Sequence, residues 1–99
     1  MVVNRFRGQD LRAGLEQARA ALSERPGYVG GTIGRNVDEP DLWVLTTTWE
    51  NVGSYRRALS SYDVKVTAVP LLSQAVDEPS AYEIVDGGAL NEAVPRELG

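Results

Sequence analysis

The chain has 99 residues, which is enough for one domain and too short for two. Its 42% hydrophobic and 24% charged residues are typical of a globular protein. The sequence contains no cysteine and no histidine, which excludes disulfide scaffolds, thiol enzymes and the commonest general base and haem ligand. The net charge is −4 and the basic residues are scattered, so we expect neither nucleic acid nor an anionic membrane as a partner. Without a signal-peptide pattern or a long apolar run, a cytoplasmic location is expected.

Apolar and polar side chains alternate over Val2–Arg7, which predicts a strand with Val2, Asn4 and Phe6 on one face. Asp10 is a suitable N-cap for the helix that we expect next. The apolar stripe of this helix contains Leu11, Leu15, Ala18 and Leu22.

The next two predicted strands are Tyr28–Val37 and Leu42–Trp49, joined by a polar turn, and they indicate an antiparallel hairpin. By strict alternation, the first of them should place Val29, Ile33 and Val37 on one face. The opposite face would then hold Tyr28, Gly30, Thr32, Gly34 and Asn36.

A second helix is predicted after Asn51, which can cap it, and a further helical stretch falls within Val64–Leu72. A last strand is expected over Ser80–Asp86, after Pro79. The order β-α-β-β-α-β predicts a ferredoxin-like α+β fold with a four-stranded antiparallel sheet. We place the domain over residues 1–86 and a C-terminal tail over residues 87–99.

In this arrangement the helices cover one face of the sheet and leave the other face bare. That second face carries apolar residues that a monomer would expose, and a contiguous apolar face marks an interface. Two sheets that pack together would bury it. The pattern therefore predicts a homodimer.

Four short segments occur in a characteristic order: Asn4-Arg5-Phe6, Pro26-Gly27-Tyr28, Leu42 to Leu45 leading to Trp49-Glu50, and Tyr55-Arg56. This series resembles the antibiotic biosynthesis monooxygenase family over about Val2 to Val85. The resemblance implies a dimeric α/β barrel. It also implies one of two activities, cofactor-independent oxygenation of polycyclic aromatic polyketides or haem degradation.

Asn4 and Trp49 resemble the asparagine that family members use on the first strand and the tryptophan that they use at the end of the third strand. The haem degraders also use a histidine after the second helix, where this chain has Ala68 and Val69. The resemblance therefore favours the cofactor-independent branch, with no metal and no cofactor.

Oxidation without a metal or flavin requires a substrate that can itself reduce oxygen, such as a deprotonated anthrone or phenol. The protein must then stabilise the anion and exclude water. The Asn4 amide and the Trp49 indole N–H are donors suited to an enolate oxygen. As an alternative, Asn4 is a strand-end polar residue bonded to backbone, and Trp49 is a core residue.

We expect Tyr28, Tyr55 and Tyr62 to line the substrate site, with hydroxyls that donate or relay protons, and Arg56 to stabilise an anionic substrate. Ordinary packing of amphipathic aromatics and an exposed helix face explain the same residues without a ligand.

Three hypotheses follow. The first is a cofactor-independent monooxygenase acting on a small aromatic, anthrone-like substrate. The second is a non-catalytic dimeric barrel that binds a small hydrophobic ligand. The third, haem degradation with an unusual ligand, agrees least with the sequence.

The homodimer can be tested by analytical ultracentrifugation at micromolar concentration. We expect a particle of twice the 10.8 kDa chain mass. A mass near 10.8 kDa would show that the bare sheet face is not a stable interface.

Overall fold

The sheet is organised around its central strand, which pairs antiparallel with a neighbour on each side. The computed structural model describes residues 1–85. The strands are β1 (Val2–Arg7), β2 (Tyr28–Arg35) and β3 (Leu42–Trp49), in the order β1-β3-β2. The helices are α1 (Arg12–Ser23), α2 (Val52–Leu59), α3 (Tyr62–Thr67) and α4 (Val69–Leu72).

The core lies between one face of this sheet and the helices, as the alternation predicted. Odd-numbered residues of β3 face the helices and are buried, whereas the even-numbered ones are half-buried on the other face. The buried core includes Val2 and Phe6 from β1, Leu15, Ala18 and Leu22 from α1, and Val64 and Ala68 at α3. Asn4 pairs with Leu45 and therefore lies on the same face as this core. The ferredoxin-like α+β arrangement is confirmed.

One face assignment in β2 was wrong because the strand contains a bulge. Tyr28 pairs with Trp49 and Gly30 with Thr48, so Val29 is an extra residue in the ladder. Beyond the bulge, Gly31, Ile33 and Arg35 continue on the helix face. Tyr28 therefore shares a face with Ile33, and Val29 is 62% exposed.

The start of α1 also differs from the expectation. Asp10 does not cap the helix; it adopts a positive φ of 55°, a conformation that aspartate tolerates better than most residues. Leu11 is the residue at the N-cap position, and it makes no side-chain capping bond. The turn is held instead by Gly8, whose N–H donates to the Asp41 carbonyl (2.8 Å) and whose carbonyl accepts from the Trp43 indole (3.1 Å).

The beginning of α2 is fixed by the cap that the sequence predicted. Asn51 Oδ1 accepts hydrogen bonds from the Ser54 N–H (2.9 Å) and the Ser54 hydroxyl (3.1 Å). Ser54 is buried against Gly27, whose φ is 88° and whose carbonyl accepts from the Glu50 N–H (2.7 Å). A side chain on Gly27 would collide with Ser54, so the contact requires glycine at this turn.

The predicted fourth strand is wrong within the described residues, where the sheet has three strands. The segment does run along the free edge of β1, but only Ala81 forms a bridge, to Val2. The Val76 N–H donates to the Arg5 carbonyl and the Val3 N–H donates to Ser80, both at 2.7 Å. Between these two bonds the segment advances by four residues and β1 by only two. Two residues of the segment therefore loop out of the pairing. Pro79 lies in this loop and has no N–H to donate. Residue 86 and the predicted tail lie outside the described residues.

Glu78 projects from that loop and pairs with Arg5 in two nearly parallel hydrogen bonds of 2.7 and 2.8 Å. The hydrogen bond from Arg5 lowers the pKa of the Glu78 carboxyl, and the same contact raises the pKa of Arg5. Because the glutamate pKa is lowered, the pair makes its full contribution to stability at pH values above the ordinary glutamate pKa. That contribution disappears as pH falls through the lowered pKa.

No helix within residues 1–85 is long and apolar enough to cross a bilayer.

The Gly27 contact predicts a sharp difference between two glycine-to-alanine substitutions. Gly27→Ala should lower the free energy of unfolding by about 1–3 kcal/mol, because it forces a non-glycine residue into positive φ and against Ser54. Gly14→Ala in α1 is the control, since an added Cβ there makes only an ordinary contact of 3.6 Å with Leu71 Cδ2 and no positive φ is required. Urea unfolding of both variants measures the difference, and equal stabilities would contradict the proposed contact.

Candidate active site

Asn4 opens onto a cleft between the β1 edge of the sheet and the helices. The cleft has a volume of about 590 Å³, which falls within the usual range for a small-molecule site. We call it the Asn4 cleft; its lining residues are Asn4, Tyr55, Leu59, Lys65, Val69, Leu72 and Ser73. The exposed lining surface is mainly apolar, and the polar groups come from Asn4, Tyr55, Lys65 and Ser73. Such a surface suits a flat apolar molecule with one polar edge.

Tyr55 connects the two residues that the sequence singled out as catalytic. Its side chain is 9% exposed and lines the Asn4 cleft together with Asn4, whose side chain lowers the pKa of the Tyr55 hydroxyl. Its ring also packs against the Trp49 indole, with centroids 5.6 Å apart. Asn4 lies opposite Leu45, which is four residues and roughly 13 Å along β3 from Trp49. The structure therefore brings Asn4 and Tyr55 together and places Trp49 behind them.

Trp49 is 7% exposed and lies between two tyrosines. The Tyr28 ring meets the indole edge-to-face, with ring centroids 5.3 Å apart and ring planes at 86°. The Tyr55 ring is its second aromatic contact. Its indole N–H donates to the Thr47 hydroxyl at 2.9 Å. The donor that we expected to reach an enolate oxygen is thus already paired inside the protein.

A second cleft, of about 360 Å³, lies on the far side of Tyr55. We call it the Trp49 cleft. Trp49 and Tyr55 line it together with Ala81, Tyr82 and Ile84 from the segment beside β1. Tyr55 is the residue common to both clefts.

The other predicted site residues are not brought to the Asn4 cleft. Tyr28 packs on Trp49, and its hydroxyl occupies the space that a side chain on Gly31 would need. Tyr62 is 78% exposed at the start of α3, and Arg56 is exposed on α2. Their roles as substrate-binding residues remain predictions, and their positions do not support them.

Lys65 is the site residue that the sequence reasoning missed. It is an exposed residue on α3 that lines the same cleft as Asn4 and Tyr55. One signal was present in the sequence: Lys65 is the single lysine among ten basic residues.

Burial raises the pKa of the Tyr55 hydroxyl, because a phenolate would be poorly solvated in this position. The Asn4 side chain acts in the opposite direction, but burial is the larger effect. Tyr55 is therefore a neutral hydrogen-bond donor at physiological pH and is unsuited to act as a base. Within residues 1–85, no group of three acidic side chains is placed to hold a metal ion.

The sequence model of the family described as antibiotic biosynthesis monooxygenase matches residues 3–68, two thirds of the chain. The chain belongs to this family. The match spans the sheet, α2 and α3, so it includes Asn4, Trp49, Tyr55 and Lys65. No curated protein matches the sequence.

Several solved structures have the same fold. SnoaB, a cofactor-independent oxygenase from Streptomyces nogalater, is 25% identical with a TM-score of 0.64, and the match covers 91% of this chain and 94% of SnoaB. A mutant of SnoaB gives a TM-score of 0.67 at 24% identity, over 91% and 94% of the two chains. Rv0793 from Mycobacterium tuberculosis is 17% identical with a TM-score of 0.63, covering 94% and 96%.

The raised Tyr55 pKa predicts a loss of stability in alkaline solution. Below about pH 10, Tyr55 is neutral in both the folded and unfolded states, so it adds no pH dependence. Above that value the unfolded state ionises first, and the free energy of unfolding falls until the pH passes the raised folded pKa. Chemical unfolding between pH 8 and pH 11 should show a shallower decline for Tyr55→Phe than for the native chain. Tyr62→Phe is the control at an exposed tyrosine. Identical slopes for all three proteins would contradict the raised pKa of Tyr55.

Proposed function

We propose that this member of the antibiotic biosynthesis monooxygenase family is a cofactor-independent monooxygenase. Its substrate is a small aromatic molecule of the anthrone type, bound in the Asn4 cleft. The observation that carries the proposal is that Asn4, Tyr55 and Lys65 line one mainly apolar cleft of about 590 Å³. The likeness to SnoaB supports the class of reaction.

The proposed reaction takes its electrons from the substrate. A proton leaves the activated carbon to water, and the resulting enolate transfers one electron to molecular oxygen. Recombination of superoxide with the substrate radical forms a C–O bond and a peroxide anion, which takes up a proton. Loss of water from the hydroperoxide breaks the O–O bond and leaves a carbonyl group. One O2 is consumed, and one oxygen atom appears in the product and the other in water.

The residues of the Asn4 cleft fit the anion in this sequence. The Asn4 amide and the neutral Tyr55 hydroxyl can donate to the enolate oxygen, where negative charge accumulates. The Lys65 ammonium favours the ionised substrate over the neutral one. Leu59, Val69 and Leu72 would hold the aromatic body and exclude water.

Trp49 has a different role in this proposal from the one the sequence indicated. Its N–H is paired with Thr47, and its ring supports Tyr55 from behind. We therefore assign it as a positioning residue that fixes the Tyr55 hydroxyl toward the Asn4 cleft.

Non-catalytic binding of a small hydrophobic ligand is the second candidate. Two observations favour it. The Trp49 N–H is already paired, and the Tyr55 hydroxyl has a raised pKa, so it stays protonated and supplies no base. Haem degradation is the weakest alternative, since the chain has no histidine to serve as the usual axial ligand.

The proposed homodimer uses the sheet face away from the helices. Val3, Val44, Thr46 and Thr48 are half-buried there in the single chain, and Thr32 is exposed. An apolar and threonine-rich face of this kind suits packing against a second sheet. A cytoplasmic location remains a prediction from the sequence.

The proposal is tested by oxygen uptake with dithranol, an anthrone that can be purchased. The native protein should consume one O2 per quinone formed. Asn4→Ala should reduce kcat by about 100-fold to 1000-fold, the range for loss of one oxyanion donor. Trp49→Phe should reduce kcat less, because phenylalanine keeps a smaller aromatic ring behind Tyr55.

Lys65 provides a matched pair of variants for the same assay. Lys65→Met should shift the rise of the pH–rate profile to higher pH, since the substrate anion loses a nearby positive charge. Lys65→Arg keeps the charge and should keep the profile. Binding of dithranol with no oxygen uptake above the uncatalysed rate would instead identify the protein as a ligand-binding module.

A further inference from the structure

A basic groove lies at the opposite edge of the sheet from Asn4. It runs between α1 and the edge strand β2 and has a volume of about 430 Å³. We call it the arginine groove; its lining residues are Arg12, Glu16, Arg19, Ile33, Gly34, Arg35 and Trp43. None of these residues lines the Asn4 cleft or the Trp49 cleft.

The groove concentrates positive charge in a chain whose net charge is −4. Three arginines line it, and Glu16 is its one acidic residue. Arg12 pairs with Glu16 at 3.1 Å, an exposed contact of low strength. The ion pairs formed within residues 1–85 involve Arg5, Arg7 and Arg12, so Arg19 and Arg35 have no carboxylate partner there. Two guanidinium groups are thus uncompensated at one concave surface.

Both uncompensated arginines are held in place by the fold. The Arg35 guanidinium lies over the Trp43 ring, 5.4 Å from its centroid. Arg19 is half-buried, and its stem runs close to Gly31, where an added Cβ would lie 3.4 Å from Arg19 Cδ. A guanidinium that is already positioned loses little entropy when it binds an anion.

The rest of the groove is apolar. Ile33 and Trp43 form its floor on the helix face of the sheet. The adjoining depression, of about 480 Å³, shares Arg12, Arg35 and Trp43 but also contains Asp10 and Asp41. Its charges cancel, so the positive charge is confined to the arginine groove.

We propose that the arginine groove is a second binding site, for a small organic carboxylate with an aromatic or aliphatic body. The carboxylate would lie between Arg19 and Arg35, whose planar forks match its two oxygens. The body of the ligand would rest on Ile33 and Trp43. This site is separate from the proposed oxygenase site and does not depend on that activity.

The test is an NMR titration of the full chain with benzoate, with benzamide as the neutral isostere. Benzoate should shift the Trp43 indole N–H and the Ile33 and Gly34 amides, and benzamide should not. Arg35→Gln and Arg19→Gln should each weaken binding by about tenfold, the effect of losing one charge-assisted hydrogen bond. Arg56→Gln removes one positive charge from an exposed position outside the groove and should leave the affinity unchanged.

The proposal fails if these signals do not move at benzoate concentrations on the order of 10 mM, the range of weak binding. It also fails if benzamide is equally effective, or if Arg19→Gln and Arg56→Gln bind alike. Unchanged signals distant from the groove show that each variant is folded. Shifts confined to Asn4, Tyr55 and Leu72 would assign benzoate to the Asn4 cleft and overturn the second site, whatever the outcome of the oxygen-uptake assay.

Discussion

The alternation of β3 is the constraint on which the rest of the structure depends. This strand pairs on both edges, so the residues of β1 and β2 that lie opposite its odd-numbered residues also face the helices. The partner positions bring Val2, Asn4 and Phe6 onto that face from one side and Tyr28 and Ile33 from the other. A shift of one residue in this register would move the whole set to the opposite face. The same register places the polar Asn4 on the core-facing side of β1, where it lines one cleft together with Tyr55.

The sequence was sufficient for those parts of the fold that depend on local periodicity. The positions of the first three strands, the stripe of α1 and the Asn51 cap follow from side-chain spacing and from one capping residue. The errors arose where the backbone departs from a regular period. The bulge at Val29 reverses the face of Tyr28, and the loop around Glu78 and Pro79 interrupts the last strand. Side-chain alternation alone locates neither feature.

Site prediction had similar limits. The face of Asn4 followed from alternation, Trp49 from the family resemblance, and Tyr55 from the need for a hydroxyl that could donate or relay protons. The pairing of the Trp49 N–H with Thr47 could not be predicted, because it depends on the rotamer of a buried tryptophan within its own strand. Lys65 was missed since α3 is short and its direction relative to β1 is set by tertiary packing. The arginine groove has the same origin: Arg12 and Arg19 are distant in sequence from Arg35, and only the packing of α1 on β2 brings them together.

Tyr55 is a wall shared by two clefts, so a displacement of its ring would change the shape of both. The ring can hold only one position at a time, and each position fixes the shape of both the Asn4 cleft and the Trp49 cleft. A molecule that moves the ring to fit one side changes the affinity of the other side, and the effect is equal in both directions. The segment that carries Ala81 and Tyr82 lines the Trp49 cleft and pairs with β1. Through Tyr55, a change in the packing of this segment would therefore alter the shape of the Asn4 cleft.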